Sequence, residues 1–214
     1  LYQKAESSVN VEVGMRLTTN KMKLEAIAFN NNYSNMLGSD LAAQGGQGTL
    51  EQFNVGKAMV NGLELMFQYL PLPKHFAFQL PIQLSYTYTN TQMKNDFESS
   101  AWGHVHYGDE IPYIYKHAFN AQISLEHKRV EANFGARFNG DMRTTPGQGK
   151  IAEREKIPAH VILDASLKVH VNKNITISLN GINLANKKYL VSRHPSGLRA
   201  GHPLGVYGGL RLQL

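Results

Sequence analysis

The sequence predicts an all-β chain that forms the wall of a transmembrane antiparallel β-barrel, and three observations predict it. Apolar and polar residues alternate over runs of about ten residues, the length a tilted strand needs to cross a bilayer. The connections between these runs alternate between short and long, as in barrels with tight turns on one rim and large loops on the other. No uninterrupted apolar run approaches the ~20 residues of a transmembrane helix, and mean hydropathy is below zero, as expected when every second residue faces water.

The clearest run is Val161-Ile162-Leu163-Asp164-Ala165-Ser166-Leu167-Lys168-Val169-His170-Val171. Successive strand side chains point to opposite faces. One face therefore carries Val161, Leu163, Ala165, Leu167, Val169 and Val171, and the other carries Asp164, Ser166, Lys168 and His170. Val9, Val11, Val13, Met15 and Leu17 repeat the pattern against Asn10, Glu12, Gly14, Arg16 and Thr18. So do Phe76 to Tyr88, Phe119 to Leu125 and Val130 to Phe138. A soluble sandwich also alternates, but its strands are commonly about 5–6 residues long.

Nine strands are expected, roughly at 6–18, 22–35, 55–70, 75–92, 112–127, 130–143, 158–171, 174–190 and 203–214. Short connections hold Thr18-Thr19-Asn20-Lys21, Pro71-Leu72-Pro73-Lys74, His127-Lys128-Arg129 and Asn172-Lys173-Asn174, all with turn chemistry. Long connections cover roughly 36–54, 93–111, 144–157 and 191–202 and are rich in Gly, Ser, Gln and His. Single-chain bacterial barrels have an even number of strands, so nine imply partners on the N-terminal side. The chain begins Leu-Tyr-Gln-Lys, with no initiator Met or signal peptide, and is expected to be the C-terminal piece of a longer exported precursor. With no cysteine, it has neither a disulfide framework nor a thiolate metal site.

Asn180-Gly181-Ile182-Asn183-Leu184-Ala185-Asn186-Lys187-Lys188-Tyr189 resembles the Asn-Leu-x-Asn/Asp-Lys-x-Tyr signature in the penultimate strand of TonB-dependent outer-membrane receptors. Further matches are Phe29-Asn30-Asn31-Asn32-Tyr33-Ser34-Asn35, Gly62-Leu63-Glu64-Leu65, and Ile157-Pro158 leading into Leu163-Asp164-Ala165-Ser166. The tail from Ser192 to Pro203 is most similar to the ferric dicitrate receptor branch. The resemblance implies a barrel of about 22 strands around an N-terminal plug, with residues 1–214 as its C-terminal nine-strand portion and the plug outside this chain. It also implies the Gram-negative outer membrane, lipid and lipopolysaccharide as surroundings, and a ferric chelate such as iron(III) dicitrate or another siderophore as transported ligand. No resident cofactor and no nucleic acid are implied. Energy would come from the TonB–ExbB–ExbD complex through a TonB box on the absent plug. The chain departs from the family in finishing on Leu214 where such barrels usually finish on an aromatic residue, which puts the assembly signal in question.

Charges on the polar phase include Glu12, Arg16, Lys23, Glu25, Glu64, Glu126, Glu131, Arg137, Asp141, Asp164, Lys168 and Arg211. Facing lipid, an Arg or Lys would cost about 2–4 kcal/mol at the midplane. Glu64, Arg137, Asp164 and Lys168 are the candidates for touching the plug; the alternative is a cross-strand charge ladder in a wet wall.

The formal net charge of +6 suggests anionic cargo, yet Lys21, Lys74, Lys128, Arg129 and Lys173 lie in the short turns, on the wrong rim. Loop 93–111 is acidic and loop 144–157 mixes both signs, which leaves the last loop as the purely cationic one. Guanidinium matches a carboxylate with two parallel hydrogen bonds. Arg193 and Arg199 are therefore the leading candidate ligand contacts, with His194 beside them and Arg143 as a third Arg. Loop-to-loop salt bridges or lipopolysaccharide phosphates are the alternatives for these side chains. A rival metal reading rests on His104 and His106, which an extended chain projects to one face, with Asp109 and Glu110 adjacent. They would suit nickel or another divalent ion.

Catalysis has little support. There is no Gly-x-Ser-x-Gly elbow, and Gly45-Gly46-Gln47-Gly48 lacks the Lys-Ser/Thr of a phosphate-binding loop. An embedded hydrolase would have to use Ser192 with His194, the nearest such pair. A passive porin shares the alternation, but the Asn183 to Tyr189 signature favours the gated receptor.

Overall fold

A computed structural model describes residues 5–39, 52–73, 75–99, 102–194 and 197–213. Strands β1 (Ser7–Thr18), β2 (Met22–Ser39), β3 (Gln52–Tyr69), β4 (Phe78–Gln79), β5 (Ile82–Met93), β8 (His117–His127), β9 (Val130–Asn139), β12 (His160–His170), β13 (Ile175–Ile182) and β16 (Gly205–Leu212) build one antiparallel sheet. Its order is β1-β2-β3-β5-β8-β9-β12-β13-β16, each strand beside its sequence neighbour, with β4 pairing β8. The remaining pieces are small hairpins above the long-loop rim. They are β6 (Phe97–Ser99) with β7 (Gly103–Val105), β10 (Met142–Arg143) with β11 (Lys156–Ile157), and β14 (Leu190–Ser192) with β15 (Arg199–Ala200).

The register keeps the apolar phase on one face across the whole sheet. Leu17, Leu24, Phe67, Leu84, Ala121, Ala136 and Leu163 form one cross-strand row. Leu125, Ala132, Leu167, Leu179 and Gly208 form another. This face is bare: Val13 is 72% exposed, Leu210 65% and Val206 63%. So large a continuous apolar surface needs lipid against it. The buried core is correspondingly small. Ala58, Met93, Val105 and Ile111 cluster under the long loops, packed by Tyr33, Met36, Phe97 and Ile114.

The tight turns are closed by side chains that cap backbone amides. Thr19 Oγ1 accepts from the amides of Lys21 (3.3 Å) and Met22 (3.0 Å), and Asn172 Oδ1 accepts from those of Asn174 and Ile175, both at 2.9 Å. Among the described residues, the outer edges of β1 and β16 carry no ladder.

Several expected boundaries move. The strand expected at 75–92 is split into β4 and β5 by Leu80 and Pro81, since proline has no amide to donate. Its register against β8 is unbroken, from Phe78↔His127 to Ile82↔Ile123. The strand expected from 112 begins only at His117, and the one expected to 143 stops at Asn139. The strand expected at 174–190 ends at Ile182, so the Asn183 to Tyr189 signature lies beyond it: Asn183 and Asn186 have φ of 51° and 47° and turn the chain out of the sheet. Strands β2 and β3 reach into the loop expected at 36–54. Residues 45–48, Lys74, Pro195, Ser196 and Leu214 lie outside the described residues.

The lumen face and its cap as the candidate functional site

The polar face of the wall is a hydrogen-bonded carpet. Asn133 Oδ1 accepts from Ser124 Oγ (2.6 Å) and Gln122 Nε2 (3.3 Å), while its amide nitrogen donates to Ser166 Oγ (3.1 Å). Opposite charges meet directly across strands. Arg16 makes a two-pronged pair with Glu25 at 2.8 and 3.0 Å, and Lys168 meets Glu131 at 2.8 Å, with His170 Nε2 3.1 Å from the same carboxylate. These groups are largely exposed and add little stability. Their effect is to keep a wet, charged wall opposite the lipid face.

Above the wall, three long loops are bound into one cap. Glu110 is its anchor: Oε1 accepts from Lys116 at 2.8 Å and Oε2 from Arg143 at 2.9 Å. Burial pushes the Glu110 carboxyl upward, but the bonds from Lys116 and Arg143 outweigh that and hold it below the usual carboxylate range. Gln148 crosses back to Asp109 Oδ1 and the Tyr107 carbonyl. Tyr113, with φ of 61°, turns its hydroxyl toward the last loop, where it accepts from the amides of Arg193 (3.4 Å) and His194 (3.2 Å).

The candidate ligand residues occupy distinct positions in this cap. Arg143 is 6% exposed, and its guanidinium is taken up by Glu110 and the Gly149 carbonyl. Arg193 binds backbone rather than a carboxylate: Nε donates to the Lys156 carbonyl at 2.7 Å and Nη2 to that of Glu153 at 3.2 Å. Both are loop-to-loop ties, one of the alternatives the sequence allowed. His194 is exposed and held through its amide, and Arg199 lies exposed on β15. Ser192 is 2% exposed and donates its hydroxyl to the His194 carbonyl, so this pair is not arranged as a nucleophile and base.

His104 and His106 do project to one face, ring centroids 4.5 Å apart, with Glu98 3.3 Å from His104 Nδ1. Asp109 is turned away: its Oδ2 accepts from the His106 amide. Among the described residues no three His, Asp or Glu side chains gather as a metal would require. Glu64 faces the lumen in a row with Ile27 and Thr87. Arg137 and Asp164 come within 3.7 Å, and Lys168 belongs to the Glu131 pair.

A cleft opens on the lumen side beneath the cap, lined by Thr89, Thr91, Glu110, Lys116, Asp141, Arg143, Lys150 and Lys156. At its margin, Lys156 donates to Glu153 at 2.6 Å, and that bond first of all, with Lys150 and Arg193 also near, holds the exposed Glu153 carboxyl low. Among the described residues Lys156 alone bonds this carboxylate; Lys150 and Arg193 act on it only through their charge. Sequence reasoning passed over Lys150 and Lys156 because loop 144–157 mixes both signs; in the structure Glu153 pairs with Lys156, while among the described residues no carboxylate pairs with Lys150 at the cleft.

Asn183 explains the signature's first residue. Fully buried, it donates to the carbonyls of Lys187 (3.0 Å) and His202 (2.8 Å) and accepts from the Lys187 amide (2.9 Å), while its own amide donates to Asp164 Oδ1 (2.8 Å). Tyr189, the last residue, stacks on His160 with centroids 4.6 Å apart and covers Gly201, where a Cβ would strike its ring. The family model described as TonB dependent receptor-like, beta-barrel matches residues 2–184. The chain belongs to this family. Its members sit in the outer membrane of Gram-negative bacteria. A curated relative, the probable TonB-dependent siderophore receptor PiuA of Acinetobacter baumannii, is 27% identical over 149 residues, 67% of this chain and 19% of the relative. The chain therefore spans about a fifth of that relative's length. Among solved structures, the closed form of the ferric-catecholate import receptor Fiu from E. coli K12 aligns with a TM-score of 0.68 at 22% identity, over 98% of this chain and 28% of that one. The unliganded ferric citrate transporter FecA aligns at 0.71 with 19% identity, over 95% and 31%. The copper transporter OprC aligns at 0.72 with 14% identity, over 98% and 30%. At these identities the structures show a shared fold.

Proposed function

We propose that this chain is the C-terminal part of the barrel of an active-transport receptor for a ferric chelate, with iron(III) dicitrate or a similar carboxylate-bearing siderophore as cargo. Energy would come from TonB–ExbB–ExbD through a plug outside this chain. Membership in a receptor family argues against an enzyme, and the curated relative is named a probable siderophore receptor. The observation that carries the choice of cargo is the cation surplus at the cleft margin, where Lys116, Arg143, Lys150 and Lys156 stand against Glu110 and Asp141. Such a margin attracts an anionic chelate and offers charge-assisted hydrogen bonds to its carboxylates.

The test is binding of ferric dicitrate to the full-length receptor. Replacing Lys150 and Lys156 by Ala should weaken binding about ten- to a hundredfold, the loss expected for one or two bonds to charged groups. Unchanged affinity in that variant would remove this site. A second reading, uptake of a divalent metal complex, rests on the paired rings of His104 and His106. Under that reading the His104→Ala/His106→Ala variant would lose uptake, and wild-type uptake would fall as imidazole protonates.

A further inference from the structure

The lipid-facing side carries a charged feature above its apolar band. Across β3 and β5 the outward column reads, from the membrane toward the loops, Phe67↔Leu84, Leu65↔Tyr86, Leu63↔Tyr88, Asn61↔Asn90 and Met59↔Gln92. The Lys94 amide donates to the Lys57 carbonyl at 2.8 Å, which continues this ladder by one more pair, Lys57 opposite Lys94. Their inward neighbours Ala58 and Met93 are buried in the core beneath the loops, so both lysines point outward.

Three facts make this pair a site. First, like charges directly opposite on one face of a sheet repel, and among the described residues neither lysine has a carboxylate partner. Second, Lys94 is held along the surface: its ammonium donates to Gln92 Oε1 and lies 5.6 Å from the centre of the Tyr107 ring. Third, the height is right. Tyr86 and Tyr88, with His117 bonded to the Tyr86 hydroxyl at 2.8 Å, form the aromatic edge of the apolar band. From Tyr88 to Lys94 the strand climbs ~20 Å along its own axis, or ~15 Å along the membrane normal at the usual tilt. Between lies an amide row, in which Asn90 donates to Asn61 at 3.2 Å, suited to hydroxyls of sugars.

We propose that Lys57 and Lys94 bind a phosphate of an outer-leaflet glycolipid, whose sugars lie on the Asn61–Asn90 row and whose acyl chains cover Leu63, Leu65 and Phe67. A bridging phosphate converts the repulsion between the lysines into two charge-assisted hydrogen bonds. The site is on the opposite face from the cleft and is independent of which cargo the receptor carries.

The experiment is native mass spectrometry of the full-length receptor in detergent, with rough lipopolysaccharide carrying its core and lipid A phosphates, or the same glycolipid after dephosphorylation. Wild type should retain the phosphorylated form at least tenfold better. K57Q/K94Q should reduce that retention at least about a hundredfold, the loss expected for two charge-assisted bonds, and K57R/K94R should keep it. Equal retention of both forms by wild type, a comparison that needs no variant, would overturn the proposal. So would unchanged retention in K57Q/K94Q, or displacement of the glycolipid by inorganic phosphate at equal concentration.

Discussion

The carboxylate of Asp164 accepts the backbone amide of Asn183 at 2.8 Å and lies 3.7 Å from the Arg137 guanidinium. A charge of the lumen wall is thereby tied to the residue that starts the last long loop. The side chain of Asn183 then closes that loop on itself through Lys187 and His202.

Replacing Asn183 by Ala strips three hydrogen bonds from a fully buried position and leaves the Lys187 amide without its acceptor. The expected loss is about 2–3 kcal/mol of local stability. Hydrogen exchange at the Lys187 amide should speed up accordingly, while exchange along β12 stays slow. Asn183→Asp, which keeps an acceptor but loses the amide donors, should restore protection at Lys187 only in part.

The cap should loosen in acid through Glu110. Its carboxyl is held below the ordinary value of 4.5, so its contribution is fully present above that value and is lost as pH falls through the lowered one. Limited proteolysis of loops 106–116 and 140–159 should therefore accelerate only below about pH 4.5. Glu110→Gln should make these loops labile at neutral pH and flatten the acid dependence.

Tyr113→Phe removes a hydroxyl that accepts two successive amides, those of Arg193 and His194. Exchange at these amides should rise by about ten- to a hundredfold, consistent with ~1.5–3 kcal/mol for two modest bonds. The thermal unfolding of the barrel should be unmoved, because the wall ladder does not involve this residue.

The wall was legible in the sequence because a period of two is a local property. Val161 to Val171, Val9 to Leu17 and Phe76 to Tyr88 declare their faces without knowledge of their partners, and the register aligns those faces. The break at Pro81 was written in the missing amide, though the run of alternation conceals it. The end of β13 at Ile182 was harder to see: the apolar residues shift from the odd positions of Ile177 and Leu179 to the even ones of Ile182 and Leu184, a slip of phase that marks where the left-handed turn at Asn183 takes the chain out of the sheet.

The cap was not legible. Arg143 and Arg193 look like free loop cations until the loops fold back and bring Glu110 and the carbonyls of Glu153 and Lys156 to them. These ties span up to 40 residues and follow no period. The pairing of His104 with His106 was readable, since it depends only on alternation along β7 and the residue after it.

One face of this sheet meets lipid and the other water. Single cysteines placed in the full-length receptor at Val161, Leu163, Leu167 and Val169, and at Asp164, Lys168 and His170, test it directly. In native membranes the first set should react with a lipophilic maleimide and resist a membrane-impermeant one, and the second set should show the reverse once the aqueous reagent has access to the lumen. Equal aqueous labelling of both sets would put both faces in water and rule out a membrane-spanning wall.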